Sequence, residues 1–239
     1  ADLIWQLPTG RVVCWRMNSN GTLNSGISIY GGATTWLVRG AADLDNDGIA
    51  DLIWQLPTGR SICWFMQTNG TIKSSALVYW GTTAWIVRGV GDIDKDGIAD
   101  LIWQMPTGQV SCWLLNANAS LKSSVGISPV ASSWQIRGAG DIDRDGVADL
   151  VWQMPAGQVA CWLMNANGTR KSGVTIQAIG TIWIVRGVGD IDKDGSADLV
   201  WQLPTGQVAC WMMNANVTRR AGVSVDGATT AWQVRGAGN

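Results

Sequence analysis

G-D-I-D-K-D-G-I-A-D-L, Gly91 to Leu101, is followed directly by I-W-Q-M-P-T-G-Q-V-S-C-W, Ile102 to Trp113. The first stretch crowds four carboxylates into nine residues. The second is a β-branched and aromatic run, broken by the turn tripeptide P-T-G and then resumed, which predicts a hairpin. The same text recurs in both directions along the chain. D-L-[IV]-W-Q stands at Asp2, Asp51, Asp100, Asp149 and Asp198, C-W at Cys14, Cys63, Cys112, Cys161 and Cys210, and W-x-[VI]-R-G at Trp36, Trp85, Trp134, Trp183 and Trp232. Every column steps by 49 residues without insertion or deletion. A fixed period of this length means a solenoid, a propeller or an array.

Each unit reads as β throughout. After the hairpin, an Asn-Gly turn (Asn20-Gly21, Asn69-Gly70, Asn167-Gly168) leads to a polar third run such as T-L-N-S-G-I-S-I-Y, suited to an outer strand. The fourth run, W-L-V-R-G-A-A-D from Trp36 to Asp43, has the small residues that let strands of different units meet at an axis. Four antiparallel strands per unit make one propeller blade. A solenoid would carry atypical polar repeats at its ends, and these ends resemble the middle. The expected fold is therefore all-β, a five-bladed β-propeller forming a single domain over 1–239. Residues 1–30 and 227–239 share one blade, so that pairing of the first and last strands closes the ring and leaves no free edge.

The acidic loop has the form D-x-D-x-D-G-x-x-D in four units: Asp43, Asp45, Asp47 and Asp51; Asp92, Asp94, Asp96 and Asp100; Asp141, Asp143, Asp145 and Asp149; Asp190, Asp192, Asp194 and Asp198. Bare, these carboxylates would repel one another; a hard divalent cation taking six to eight oxygens would hold them together, which predicts Ca²⁺. Positions one, three and five point carboxylates inward, the glycine at position six allows the turn, the carbonyl at position seven (Ile49, Ile98, Val147, Ser196) adds a neutral oxygen, and the Asp at position nine closes the cage. An EF-hand is excluded because position twelve is Trp54, Trp103, Trp152 or Trp201 in place of Glu, inside a strand. Magnesium fits less well, since it keeps its waters and demands rigid octahedral geometry. In the fifth unit Asp2 matches position nine and Asn239 falls at position one with nothing between, so four sites are expected. An Asp-rich turn without an ion explains one copy but not four copies holding nearly all the acid of the chain.

These loops resemble the calcium loops of FG-GAP, or VCBS, repeats of the integrin-α-like propellers, G-D-x-[DN]-x-D-G-x-x-D-[LI], and the resemblance runs the length of the chain. The flanks differ: W-x-[VI]-R-G stands where the family has Phe-Gly, and Q-[LM]-P-[TA]-G where it has Gly-Ala-Pro. Such propellers are often seven-bladed, and five is a departure. The resemblance is to bacterial surface or secreted repeat proteins. It implies adhesion and recognition, including lectins that hold sugars between blades.

Sixteen tryptophans are many for 239 residues. Trp5, Trp15 and their repeats sit mid-strand, where packing between blades accounts for them. Trp36, Trp85, Trp134, Trp183 and Trp232 each follow a variable linker, G-G-A-T-T, W-G-T-T-A, P-V-A-S-S, A-I-G-T-I and G-A-T-T-A in turn. Packing competes here too, but a Trp face beside hydroxyls can stack on a sugar, so these five and Trp80 are the candidate ligand residues. Arg39, Arg88, Arg137, Arg186 and Arg235 lie on inner strands, where the expectation is pairing with a carbonyl or loop carboxylate, and the alternative is a channel-facing anion site. The single cysteine column keeps thiols whole blades apart, beyond the ~7 Å a disulfide spans. Asn20, Asn69, Asn118, Asn167 and Asn216 begin N-x-[ST] triplets that turn chemistry explains.

Seventeen Lys and Arg against eighteen Asp give a formal charge of −1 without runs of either sign, which nominates neither nucleic acid nor an anionic membrane. No apolar stretch reaches the ~20 residues of a membrane helix. The chain starts at Ala1 with no signal-like segment, so it is expected to be soluble and cut from something longer. Histidine and glutamate are absent, and with the Asp committed to metal no acid–base pair remains; no enzyme is expected. The reading is an extracellular or cell-surface, monomeric, calcium-binding recognition module whose partner is a carbohydrate or a surface protein. Its alternative is a symmetric array, recently amplified or engineered, with no small ligand beyond calcium.

Overall fold

The computed structural model describes residues 1–127, 129–176, 180, 182–225 and 231–238. Its strands are β1 (Asp2–Gln6), β2 (Val12–Met17), β3 (Leu23–Tyr30), β4 (Leu37–Ala42), β5 (Asp51–Gln55), β6 (Ser61–Met66), β7 (Ile72–Tyr79), β8 (Ile86–Gly91), β9 (Asp100–Gln104) and β10 (Val110–Leu115). They continue as β11 (Leu121–Ile127), β12 (Gln135–Gly140), β13 (Asp149–Gln153), β14 (Val159–Met164), β15 (Arg170–Ile176), β16 (Ile184–Gly189), β17 (Asp198–Gln202), β18 (Val208–Met213), β19 (Arg219–Val225) and β20 (Gln233–Gly238). Each consecutive group of four from β4 onward is one antiparallel sheet, and β20-β1-β2-β3 form the fifth. The last strand thus pairs with the first, Asp2 opposite Gly238 and Gln6 opposite Gln233. The inner strands β4, β8, β12, β16 and β20 touch in turn, with β20 returning to β4, and the five sheets stand as blades of a β-propeller.

Side-chain size sets this radial order. Inner strands are built of Gly, Ala and Val because they crowd: a Cβ on Gly40 would stand 2.6 Å from Val90 Cγ2. The second strands β5, β9, β13 and β17 are buried at every residue. The outer strands begin with four exposed positions, as the polar third run predicts. The core lies between blades, not within them. Ile102 and Cys112 of one blade, for example, pack with Ile136 and Trp152 of the next. The tryptophans of the second and third strands pair within each blade at ring-centroid distances of 4.5 Å (Trp5–Trp15) to 4.9 Å (Trp103–Trp113). All five cysteines are free thiols, and burial pushes those of Cys14 and Cys210 up to about 12, so they act as small apolar side chains.

Two local devices shape the functional surfaces. The Asn column forms Asx turns: Asn20 Oδ1 accepts from Thr22 N–H at 3.1 Å and Asn69 Oδ1 from Thr71 N–H at 3.0 Å, while only the following residue takes positive φ (Gly21, 78°; Gly70, 81°). The P-T-G turn, in contrast, presses its glycine onto the linker. Gly59 has φ of 103°, and Thr83 N–H donates to the Thr58 carbonyl at 2.9 Å. A Cβ at Gly59 would lie 2.8 Å from both Thr83 N and Thr83 O. Gly59→Ala is therefore expected to destabilise by about 2–4 kcal/mol, since backbone must shift and the φ is unfavourable. Urea unfolding checks this; a loss under about 0.5 kcal/mol would mean the linker yields freely.

Candidate functional site

The four acidic loops each join an inner strand to its second strand, and their carboxylates converge. In the loops of Asp43 and Asp141, ligand atoms of positions one, three and nine (Asp43, Asp45, Asp51; Asp141, Asp143, Asp149) all lie within 4.8 Å of one another. In the other two loops the same holds for positions one, three and five (Asp92, Asp94, Asp96; Asp190, Asp192, Asp194). Backbone shape produces the convergence. The position-six glycines have φ of 81° (Gly48), 86° (Gly97), 85° (Gly146) and 92° (Gly195), and position four is left-handed as well, from 59° at Asn46 to 64° at Arg144.

Each Asp has a distinct part. Position one caps the turn: Gly97 N–H donates to Asp92 Oδ2 at 2.8 Å and Lys95 N–H to Oδ1 at 2.7 Å. Position five accepts from the N–H of position seven, 3.0 Å for Asp47 and Ile49, 2.9 Å for Asp96 and Ile98, 3.0 Å for Asp145 and Val147, and 2.9 Å for Asp194 and Ser196. Position nine is fully buried and bolts two strands together. Asp100 accepts from Ile93 N–H at 2.9 Å and Leu115 N–H at 2.9 Å, and Asp51, Asp149 and Asp198 repeat the pair of bonds. Burial pushes the carboxyls of Asp100 and Asp149 up to about 7 and those of Asp51 and Asp198 up to about 6, against the N–H bonds that favour their ionised form.

Position three is left wanting: Oδ1 of Asp45, Asp94 and Asp192 is buried without a partner. A buried carboxylate oxygen with no donor is costly, and a hard dication at the convergence point would satisfy all three. The donor set therefore fits a divalent metal ion. Position-three Oδ2 is held outward by a cation that sequence reasoning missed. Lys73 bridges Asp45 and Asp47 at 2.8 and 2.7 Å, Lys122 bridges Asp94 and Asp96 at 2.7 and 2.6 Å, Lys171 bridges Asp143 and Asp145 at 3.0 and 2.7 Å, and Arg220 contacts Asp192 and Asp194. These cations also step by 49, and the unit without a complete loop has Asn24 in their column.

The loops are joined in sequence. Ala99 N–H donates to the Asp43 carbonyl at 2.8 Å, Ala148 N–H to that of Asp92 at 2.7 Å, Ala197 N–H to that of Asp141 at 2.6 Å, and Ala1 N to that of Asp190. Arg144 reaches the next loop with its side chain, at 2.7 Å to Ser196 Oγ and 2.9 Å to Asp194.

At the linker tryptophans the structure brings three indoles together. A cavity of about 340 Å³ is lined by Tyr79, Thr83, Trp85, Trp103, Ser111 and Trp113, and one of about 300 Å³ by Val130, Ala131, Trp134, Trp152, Ala160 and Trp162. Trp103 Nε1 and Trp152 Nε1, like Nε1 of Trp5, Trp54 and Trp201, are buried without acceptors. The column of Ser111 and Ala160 reads Val13 and Ile62 in two other units, so a small residue opens the space. The position of each linker Trp is fixed by a buried glutamine with no role assigned from sequence. Gln55 Nε2 donates to the Trp85 carbonyl at 3.0 Å while Val87 N–H donates to Gln55 Oε1 at 3.2 Å; Gln104 treats Trp134 and Ile136 alike. Trp36, Trp183 and Trp232 are half-buried against the inter-blade cores. Trp80 lies apart, 64% exposed, with the Arg60 guanidinium 3.6 Å from its ring centroid. Residues 178, 179, 181 and 227–230 of the last two linkers, Asp226, and Asn239 of the expected fifth loop lie outside the described residues.

The inner-strand arginines do not pair as expected. Nε of Arg39, Arg88, Arg137, Arg186 and Arg235 is buried and without a partner, and none of the five takes part in an ion pair among the described residues. Four residues of strand, ~13 Å, separate Arg39 from Asp43, beyond the reach of one side chain.

Five four-stranded blades, four of them with an acidic, metal-competent loop between first and second strands, define a loop-bearing β-propeller. The chain belongs to the FG-GAP-like repeat family, whose pattern matches residues 43–103, 92–152 and 141–201. No curated protein matches the chain. Among solved structures, a nidogen/laminin complex is similar over 98% of this chain and 96% of that one, with TM-score 0.52 and 10% identity, a likeness of fold alone. A protein of unknown function from Bacteroides caccae is similar over 93% of this chain and 73% of that one, with TM-score 0.47 and 9% identity. No helix among the described residues is long and apolar enough to cross a membrane.

Proposed function

We propose that this chain is a calcium-stabilised recognition module, secreted or surface-attached and without catalytic activity, that holds carbohydrate in the aromatic pockets between its blades. Calcium supplies charge neutralisation at the four loops, where Asp45, Asp94, Asp143 and Asp192 and their loop partners would hold it; the sugar sites are elsewhere. The observation that carries the reading is the cavity of about 340 Å³ whose walls are Trp85, Trp103 and Trp113. The indoles of Trp103 and Trp113, tilted at 52° to one another, offer apolar faces to the C–H side of a pyranose, and the hydroxyls of Thr83 and Ser111 offer polar contacts to its edge. The volume sits at the small end of ligand sites, suiting one or two sugar rings.

Tryptophan emission titrated with a panel of mono- and disaccharides tests it. A saturable change with at least one sugar is expected, weakened roughly tenfold or more by Trp85→Ala together with Trp134→Ala, the loss of one stacking partner at each pocket. A flat response across a broad panel would leave the chain as a symmetric scaffold or a protein-binding array.

A further inference from the structure

The five arginines that find no partner share one environment. Arg39, Arg88, Arg137, Arg186 and Arg235, with the glycines and small residues that follow them, line a constriction of about 20 Å³ on the propeller axis. Toward the acidic loops the channel widens to about 470 Å³, lined by Gly, Ala, Val and the first Asp of each loop. Each arginine is the extra residue of a β-bulge. Val38 pairs with Trp54 and Gly40 with Ile53, skipping Arg39; Val87 and Gly89 skip Arg88, Ile136 and Gly138 skip Arg137, Val185 and Gly187 skip Arg186, and Val234 and Gly236 skip Arg235. A bulge is a device that re-aims a side chain, and here it is repeated in every blade to the same end.

The ring is unfavourable as it stands. Burial, and then the neighbouring arginines, pull the guanidinium pKa of Arg39, Arg137 and Arg235 down to about 10, and burial lowers those of Arg88 and Arg186, so cationic groups are gathered where solvent shields them poorly. Seventeen of the eighteen acids belong to the loop columns. The eighteenth, Asp226, lies outside the described residues, and one carboxylate would offset one charge of five.

We propose that the arginine ring is an anion site on the propeller axis, taking one compact oxyanion of the sulfate or phosphate class. The guanidinium fork matches oxyanion geometry with two parallel N–H donors, which a monatomic halide cannot use. The narrowness of the constriction limits the occupant to a single small ion, which excludes nucleotides and sugar acids. The site is independent of the aromatic pockets and of the metal loops.

Thermal melts in sodium sulfate against sodium chloride at matched ionic strength read the site. Sulfate is expected to raise Tm saturably by several degrees beyond chloride. The double variant Arg39→Gln/Arg137→Gln, with two non-adjacent blades altered, is expected to lose that sulfate-specific rise while melting no lower than the parent in sulfate-free buffer, because repulsion is relieved. Equal shifts from both salts, or an unchanged sulfate response in the variant, would overturn the proposal. If the double variant does not fold, equilibrium dialysis of labelled sulfate against the unaltered chain decides: one ion bound per chain supports the ring site, and none or many refutes it.

Discussion

Excess chelator at pH 7.5 is expected to lower the melting temperature by about 20–40 °C relative to millimolar calcium. One site at a free-ion concentration a hundredfold above its Kd adds about 2.7 kcal/mol, so four add about 11. In a domain of this size each kcal/mol moves Tm by roughly 2–4 °C. The pH dependence should also change sign. Without metal, the position-nine carboxyls titrate at about 6 (Asp51, Asp198) and about 7 (Asp100, Asp149), above their ordinary range because of burial. A folded-state pKa above the unfolded one favours the protonated fold. That stability is whole near pH 4 and is lost as pH rises through 6 to 7. Metal-free protein should therefore melt lower at pH 8 than at pH 5. Calcium-loaded protein should melt higher at pH 8, since the ion requires deprotonated ligands. Calorimetry across pH with and without calcium reads both; superimposable curves at pH 7.5 would remove calcium from the account.

The second large effect separates two aspartates of one loop. Asp100→Ala is expected to cost about 3–5 kcal/mol even in chelator, because the Ile93 and Leu115 N–H groups it accepts from, both in buried backbone, are left unpaired at about 1–3 kcal/mol each, with a cavity besides. Asp94→Ala should do the opposite in chelator. It removes a buried oxygen that has no donor and breaks only an ion pair to Lys122, which is 42% exposed, so stability should hold or rise slightly. In calcium the order narrows, because Asp94→Ala then forfeits a bound ion. Urea unfolding of both variants under both conditions gives the four values. Equal losses in chelator would show that position three, like position nine, is a structural bolt.

The fold was legible because every level of the sequence repeats it. The 49-residue step set the number of blades, the polar third run marked the outer strand, and the phase of the first and last strands required β20 to meet β1. The loops were legible too, since spacing within nine residues dictates which carboxylates can converge. What escaped notice lies in contacts made far along the chain. Lys73 binds Asp45 across 28 residues, and Gln55 holds the Trp85 backbone across 30. Their columns are visible in the repeat, but nothing local distinguishes a lysine on an outer strand from any solvated lysine. The arginines were misjudged for a different reason. A bulge is a property of strand pairing, so the direction in which Arg39 points cannot be read from W-L-V-R-G alone.

The hydrogen bonds that run from the alanine of one loop to the carbonyl of the one before, Ala99 to Asp43, Ala148 to Asp92, Ala197 to Asp141 and Ala1 to Asp190, make the loops a linked row and not four separate clasps. A clasp that opens disturbs only its own blade, whereas a linked row passes its slack from each loop to the next. In the secreted, calcium-stabilised module proposed above, the linked loops would be taut outside a cell, where calcium is on the order of millimolar and extracellular modules are tuned to that range. On the proposed function, the same polypeptide would be slack in a calcium-poor cell interior and would gain its rigidity on reaching a calcium-rich exterior.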